Sequence, residues 1–357
     1  MNLLILSNRL YLIVKLRYLR PEFLPGTRVM KTLIIAEAGV NHNGNMDIAY
    51  QLIDQAKNCG ADMVKFQTAI SCTSKFAPKA EYQKRATGEG SQMDMARKLR
   101  LTFDQHKQLF DYCNKVGIQY LSTAFDVTSV NFLNTLNLPL WKIPSGEITN
   151  LPYLIKIAQL HGKVVMSTGM SELEEIRSAI NILRNNGTED ITLLQCHTDY
   201  PTAYENVNLK AMHSLYEEFN LPFGLSDHSS GIECAIAAVA MGATVIEKHF
   251  TLDKGMEGPD HLASIEPHEL GQLVQSIRNV ELAMGDGRKF CSEAECKNMI
   301  VARKSIVANR NIKKGEIFTE ENITTKRPGN GISPMKWFEV LGTTAIRDFN
   351  EDELIEI

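Results

Sequence analysis

The chain of 357 residues carries almost no excess charge of either sign: 38 Lys and Arg against 42 Asp and Glu leave a formal net charge of −4. So small an imbalance supplies no electrostatic case for a nucleic-acid or polyanion partner. Long apolar runs are missing as well, and the mixed apolar and basic opening MNLLILSNRLYLIVKLRYLR is too interrupted to span a bilayer. No small-residue cleavage site follows it. The 7 cysteines are odd in number and scattered, and the close pair Cys291 and Cys296 lacks the second pair that a zinc site requires. These absences lead us to expect a reduced, cytoplasmic chain with no membrane span. Two nucleotide motifs are also absent. No G-x-G-x-x-G follows the first strand pattern and no G-x-x-x-x-G-K-[ST] loop occurs, which weakens dinucleotide and P-loop readings.

What the sequence does contain is a rhythm. A clean strand pattern opens after Met30, so residues 1–30 are expected to be a dispensable extension, a targeting segment or an amphipathic surface helix being the alternatives. Short apolar runs then recur: TLIIAE, MVKFQ, QYLST, LWKIP, KVVMST, ITLLQC, PFGLS and TVIEKH. Most are separated by stretches with apolar residues three and four apart, such as MDIAYQLIDQAKNCG and SELEEIRSAINILRNNG, each stopped by glycine. Buried strands alternating with helices imply βαβ units, and about eight of them over residues 31–285 predict a TIM (β/α)8 barrel. The connection from Ile70 to Arg100 is long for a βα loop and points to a functional excursion over the barrel mouth. A polar linker is expected over 286–297. Residues 298–357, with short alternating runs and turns, predict a small β-rich C-terminal domain.

In a parallel barrel the loops after the strands form the catalytic face. The strand ends supply Glu37; Lys65; Ser122 and Thr123; Lys142, Ser145 and Glu147; Ser167 and Thr168; Gln195; Ser226, Asp227 and His228; Lys248 and His249. Lys65 and Lys142 lie inside apolar runs, where a lone charge is costly. They either pair internally with Glu37 or Glu147, or neutralise a phosphate or carboxylate. Ser145, Ser167 and Thr168 add hydroxyl and backbone donors at helix starts. Glu37 and Glu147 are candidate proton movers or plain counter-ions. His228 either caps a helix or binds a divalent ion, and with Gln195 beside it the set suits Mg²⁺ or Mn²⁺ better than zinc. Alternation then turns Cys196 away from the interior, into packing. Asp260 and His261 reach the mouth or close their loop. Arg327, before Pro328 in KRPGNG, is either presented to a ligand or part of a solvated turn.

Taken in order, AEAGVNHNG, VKFQT, STAFD, KIPSGE, STGM, GLSDHSSG, EKHFTLDK, GPDHLASIEP and KRPGNG resemble the bacterial N-acetylneuraminate (sialic acid) synthase family over nearly everything after Met30. The resemblance implies a barrel joined to an antifreeze-like (SAF) domain. It implies condensation of phosphoenolpyruvate with N-acetylmannosamine and water, releasing phosphate with C–O cleavage and requiring Mn²⁺ or Mg²⁺. A related nonulosonic acid such as legionaminic acid, made from a di-N-acetylated sugar, is the alternative product. Matched residue by residue, Glu37, Glu147 and Lys142 take catalytic roles. Lys65, Thr123, Ser145, Ser167, Asn41 and Arg327 take substrate-binding ones, and Gln195 and His228 hold the metal. Gln195 departs from the His that many bacterial members carry there. The resemblance also implies a domain-swapped homodimer in which Arg327 of one subunit reaches the sugar of the other.

Overall fold

The computed structural model describes residues 31–357, so the extension expected before Met30 lies outside the described residues. The chain runs β1 Leu33–Gly39, α1 Met46–Asn58, β2 Met63–Thr68, α2 Glu81–Thr87, α3 Gln92–Leu99, α4 Phe103–Val116, β3 Gln119–Ala124, α5 Val127–Asn134 and β4 Trp141–Ile143. It continues α6 Leu151–Ala158, β5 Val164–Ser167, α7 Leu173–Asn185, β6 Ile191–Cys196, α8 Tyr204–Val207, α9 Ala211–Phe219, β7 Phe223–Asp227, α10 Glu233–Ala240, β8 Val245–His249 and α11 Pro267–Ala283. All eight strands are parallel, in the order β3-β2-β1-β8-β7-β6-β5-β4. The two ends of that ladder, β3 and β4, are neighbours in space, so the sheet curls into the expected barrel.

Local chemistry accounts for the helices. Asn45 opens α1 by accepting from the backbone N–H groups of Asp47 and Ile48, and Ala49, Leu52, Ile53 and Ala56 then form its buried stripe. In α7 the stripe is Ile176, Ala179, Ile180 and Leu183, at the spacing that the sequence shows. The excursion expected between Ile70 and Arg100 folds into α2 and α3, neither of which contributes a buried residue to the core.

Alternation along the strands divides the barrel into two layers. One side chain set, including Ile34, Val64, Tyr120, Ile143, Leu193, Leu225 and Ile246, packs outward against the helices. The other, Ile35, Met63, Leu121, Leu140, Val165, Leu194 and Val245, fills the lower interior. Gly224, between outward Phe223 and Leu225, falls in the inner row, and a Cβ there would lie 2.1 Å from the Val245 carbonyl oxygen. The same parity corrects one expectation. Asp227 and Lys248 are register partners on the outer face, and their ion pair of 2.8 Å is buried there with a second bond from Lys248 Nζ to the Ser229 carbonyl. They brace β7 to β8 and do not line the mouth.

The chain divides after Asp286 into a second compact unit, Gly287–Ile357. A helix, α12 Glu293–Ala302, begins inside the stretch expected to be a linker. β9 Ser305–Ala308 and β10 Ile323–Lys326 pair antiparallel, further bridges join Val307 to Leu354 and Ile312 to Phe349, and α13 Trp337–Val340 follows. Ile306, Ile312, Phe318, Ile323, Phe349 and Ile355 form its own core. No helix among the described residues is long and apolar enough to cross a membrane.

Removing one partner of a buried ion pair leaves an uncompensated charge, worth about 3–5 kcal/mol. Asp227→Ala should therefore lower the unfolding free energy of the barrel by about that amount, with Asp227→Asn milder because it keeps an acceptor for Lys248. Denaturant unfolding of the two variants beside the parent measures it, and equal stability of all three would show the pair to be dispensable.

Candidate active site

The inner row turns from apolar to charged as the strands approach their carboxyl ends. Glu37, Lys65, Gln67, Thr123, Lys142, Ser167, Cys196, Ser226, His228, Glu247 and His249 all line one cavity of about 590 Å³. At its floor lies a continuous network. Lys65 Nζ is 2.9 Å from Glu37 Oε2 and 3.7 Å from Glu247 Oε2, and Lys142 Nζ is 3.6 Å from Glu247 Oε1. Lys65 donates to Thr123 Oγ1 at 3.0 Å and Lys142 to Ser167 Oγ at 2.8 Å. Gln67 donates to Glu37 at 3.0 Å and Ser226 to Glu247 at 3.2 Å.

Burial separates the two carboxylates. Glu37 is pushed up to about 7 by burial, with Glu247 adding to the rise and Lys65 opposing it. Burial also works against ionisation of Glu247, but Lys142 and Lys65 on either side hold it below the usual carboxylate range. Two like groups driven apart by their surroundings mark a proton-carrying member and a permanently ionised one. Burial depresses Lys142, whereas Lys65, buried too, is held above its ordinary value by Glu247 and Glu37. With Glu37 protonated, two lysines face one carboxylate and the floor is net positive, which suits an anionic substrate.

The remaining expected residues fall into two groups. Ser145 lines the cavity and accepts from the Gly169 N–H at 2.9 Å, and Glu147 lines it with burial raising its carboxyl and Asn150 donating at 2.5 Å. Asp260 also reaches the cavity, and burial lifts it to about 6. Others are directed elsewhere. Asn41 donates to the Phe250 carbonyl and to Ser264 Oγ, both at 2.9 Å, so it ties the β1 loop to the β8 loop outside the cavity lining. Ser122 pairs with Thr68 and Thr168 donates to the Leu194 carbonyl, both on the outer face. His261 closes its loop through Thr251 at 2.7 Å.

Gln195 is the main correction. It lies on the outer face of β6 and donates to the Val207 carbonyl at 3.1 Å, while Cys196 turns into the cavity with its Sγ 3.8 Å from His228 Nδ1. Leu193 and Leu194 are both apolar, so the strand carried no sign of which parity faces inward. Glu247 was missed for the same reason, although its spacing of two from His249 placed it on that residue's face. Burial opposes charge on both members of the Cys196–His228 pair, yet each draws the other, the thiol downward and the imidazole upward.

Without Gln195, the groups at this edge of the cavity that could serve a divalent ion are two imidazoles and a carboxylate. His228 Nδ1 donates to the His197 carbonyl at 2.6 Å, so in the neutral imidazole Nε2 is the ligand atom, and a bound cation would favour that form over the protonated one that Cys196 promotes. His249 Nδ1 is buried with no hydrogen-bond partner, and Asp260 supplies a carboxylate at the same cavity. Among the described residues one tighter group exists, Glu266, His268 and Glu269, but none of the three lines the cavity and Glu269 is paired to Lys254 at 2.6 Å.

The excursion supplies part of the cavity wall. Tyr82 of α2 stacks on Tyr200 with ring centroids 4.8 Å apart, and Gln83, Met95, Leu99 and Arg100 join the lining. Tyr200 in turn packs on His228 at 4.1 Å.

Comparison with known proteins agrees with this arrangement. The chain is 56% identical over 330 residues to N,N′-diacetyllegionaminic acid synthase of Campylobacter jejuni, covering 91% of this chain and 99% of that protein. It is 46% identical to the protein of the same name in Legionella pneumophila, covering 88% and 90%. The solved N-acetylneuraminic acid synthetase of Leptospira borgpetersenii superposes with a TM-score of 0.66 at 30% identity, covering 78% of this chain and 95% of that one. Residues 52–289 match the NeuB family and residues 303–356 the SAF domain. These matches place the chain in the NeuB family, the barrel being followed in sequence by a SAF domain.

Proposed function

We propose that this protein condenses phosphoenolpyruvate with an open-chain diacetamido-trideoxy sugar to give N,N′-diacetyllegionaminic acid and phosphate. It is a phosphoenolpyruvate-dependent synthase of the kind that the family comprises. For the sugar, the 56% identity across nearly the full length of a legionaminic acid synthase carries the reading, against 37% to the human N-acetylneuraminate-9-phosphate synthase. This replaces N-acetylmannosamine, the first expectation from sequence, with the alternative.

The floor supplies the chemistry. Lys65, Lys142 and Ser167 receive the phosphate and carboxylate of phosphoenolpyruvate, with Ser145 beside them. C3 attacks the sugar aldehyde and forms the C–C bond. Glu37, protonatable near neutrality, gives its proton to the aldehyde oxygen. Water adds at C2, one proton passing to Glu147, and the C2–O bond then breaks with its electron pair going to phosphate, which takes the remaining hydroxyl proton as the C2 ketone forms. His228, His249 and Asp260 are the residues that would hold the divalent ion. Lewis-acid polarisation of the aldehyde oxygen is the chemistry that Mn²⁺ or Mg²⁺ supplies when bound.

The domain-swapped homodimer is proposed on the same footing. Arg327 is exposed and anchored through Nε to the Ala302 carbonyl at 3.1 Å, which leaves the end of its guanidinium free for the sugar N-acetyl group of a second copy.

Phosphate release is the direct assay. The diacetamido-trideoxy sugar should support it, EDTA should abolish it and added Mn²⁺ should restore it; saturation by N-acetylmannosamine alone would overturn the sugar assignment, and release indifferent to EDTA the metal requirement. Glu37→Gln should lower kcat by roughly 10²–10⁴-fold, the usual worth of a positioned acid, with the KM for phosphoenolpyruvate little changed. Arg327→Ala should raise the KM for sugar about 10-fold, the size of one lost charge-assisted bond, and leave that for phosphoenolpyruvate intact. An equal rise for both substrates would contradict the role given to Arg327.

A further inference from the structure

The excursion helix α3 has an apolar face that the protein core does not use. None of its eight residues is buried, yet Gln92, Met95, Ala96 and Leu99, spaced three, four and seven apart, all line the cavity. Asp94, Arg97 and Lys98 on the other side are exposed. An amphipathic helix ordinarily turns its apolar stripe to the core. Here the stripe forms a wall of the active-site cavity.

The helix is also held in place, as a recognition surface requires. At its start Ser91 Oγ accepts from the Asp94 N–H. At its end the Lys98 carbonyl approaches Gly44 so closely that a Cβ there would lie 2.7 Å away, and Gly44 has φ +73. Arg100 Nη1 donates to the Ile70 carbonyl at 2.6 Å and closes the excursion on itself. The Met95 sulfur lies 3.6 Å from the Thr87 hydroxyl, which itself donates to the Gln83 carbonyl at 2.7 Å.

Different parts of the cavity lining therefore differ in chemistry. The floor of Glu37, Lys65, Lys142 and Glu247 suits phosphate, carboxylate and the reacting carbonyl, and has nothing to recognise a methyl group. The wall made by α3 has apolar side chains and the Gln92 amide, and the charge next to it in the lining, Arg100, is engaged by the Ile70 carbonyl. We infer that Met95, Ala96 and Leu99 form the subsite for the deoxy methyl and an acetamido methyl of the sugar, and so set the preference for a deoxygenated, di-N-acetylated substrate over a hydroxylated one. This rests on the sugar assigned under the proposed function. A hydroxymethyl group placed against this stripe would lose its water without gaining a partner, whereas a methyl buries apolar area on both sides.

The test compares kcat/KM for the diacetamido-trideoxy sugar and for N-acetylmannosamine in the parent enzyme, Met95→Gln, Leu99→Asn and Arg97→Gln. Each of the first two variants should lower the ratio of the two values by about 10-fold or more, as expected for an apolar contact made polar, with the KM for phosphoenolpyruvate within about twofold of the parent. Arg97→Gln, on the solvent face, should leave the ratio unchanged. A parallel fall for both sugars, or a ratio that does not move, overturns the subsite while the proposed function stands. A parent enzyme that turns over N-acetylmannosamine alone overturns both. A rise in the KM for phosphoenolpyruvate equal to that for sugar assigns α3 a structural role and also overturns the subsite.

Discussion

Two lysines and two glutamates lie together inside the barrel, almost wholly removed from water. Any one of them alone would be prohibitively costly at that depth, and the arrangement holds because each lysine has a carboxylate within 4 Å and a hydroxyl within 3.0 Å. The apolar layer beneath, from Ile35 to Val245, excludes water from below. The outer pair Asp227–Lys248 and the Asn41 bridge keep the loops at the correct height above it. Much of what surrounds the cavity serves to keep this cluster dry and paired.

The same cluster explains why the site suits condensation chemistry. Glu37 and Glu247 have similar neighbours but opposite tendencies, because Glu247 sits between two lysines and Glu37 beside one. The first is left able to carry a proton and the second to fix the lysines in place. An anionic substrate then meets two lysines already held in place and already desolvated, so little reorganisation is required when charge develops.

Parity of the strands decided which residues joined the cluster. Eight strands, their order of appearance, the excursion and the small C-terminal unit were legible from apolar periodicity, glycine stops and connection length. Glu37, Lys65, Thr123, Lys142, Ser145, Glu147, Ser167 and His228 were legible as polar groups at strand ends, and all of them line the cavity. Gln195, Cys196, Asn41, Glu247 and Lys248 were misjudged or overlooked. In each case neighbouring residues in the strand or loop were equally plausible, and one residue of register sends a side chain to the opposite face.

By itself, then, the sequence determined the alternation of strand and helix and the chemical inventory at the strand ends. It did so because buried strands and amphipathic helices have periods that a linear reading detects. Only the tertiary structure decided which of those groups meet. Doubly buried strands give no local sign of their inner face, and the partners of Glu247 come from β2, β4 and β7, far apart in the chain. The wall supplied by α3 was likewise invisible, since its apolar stripe looks like any other until the cavity that it faces has been formed.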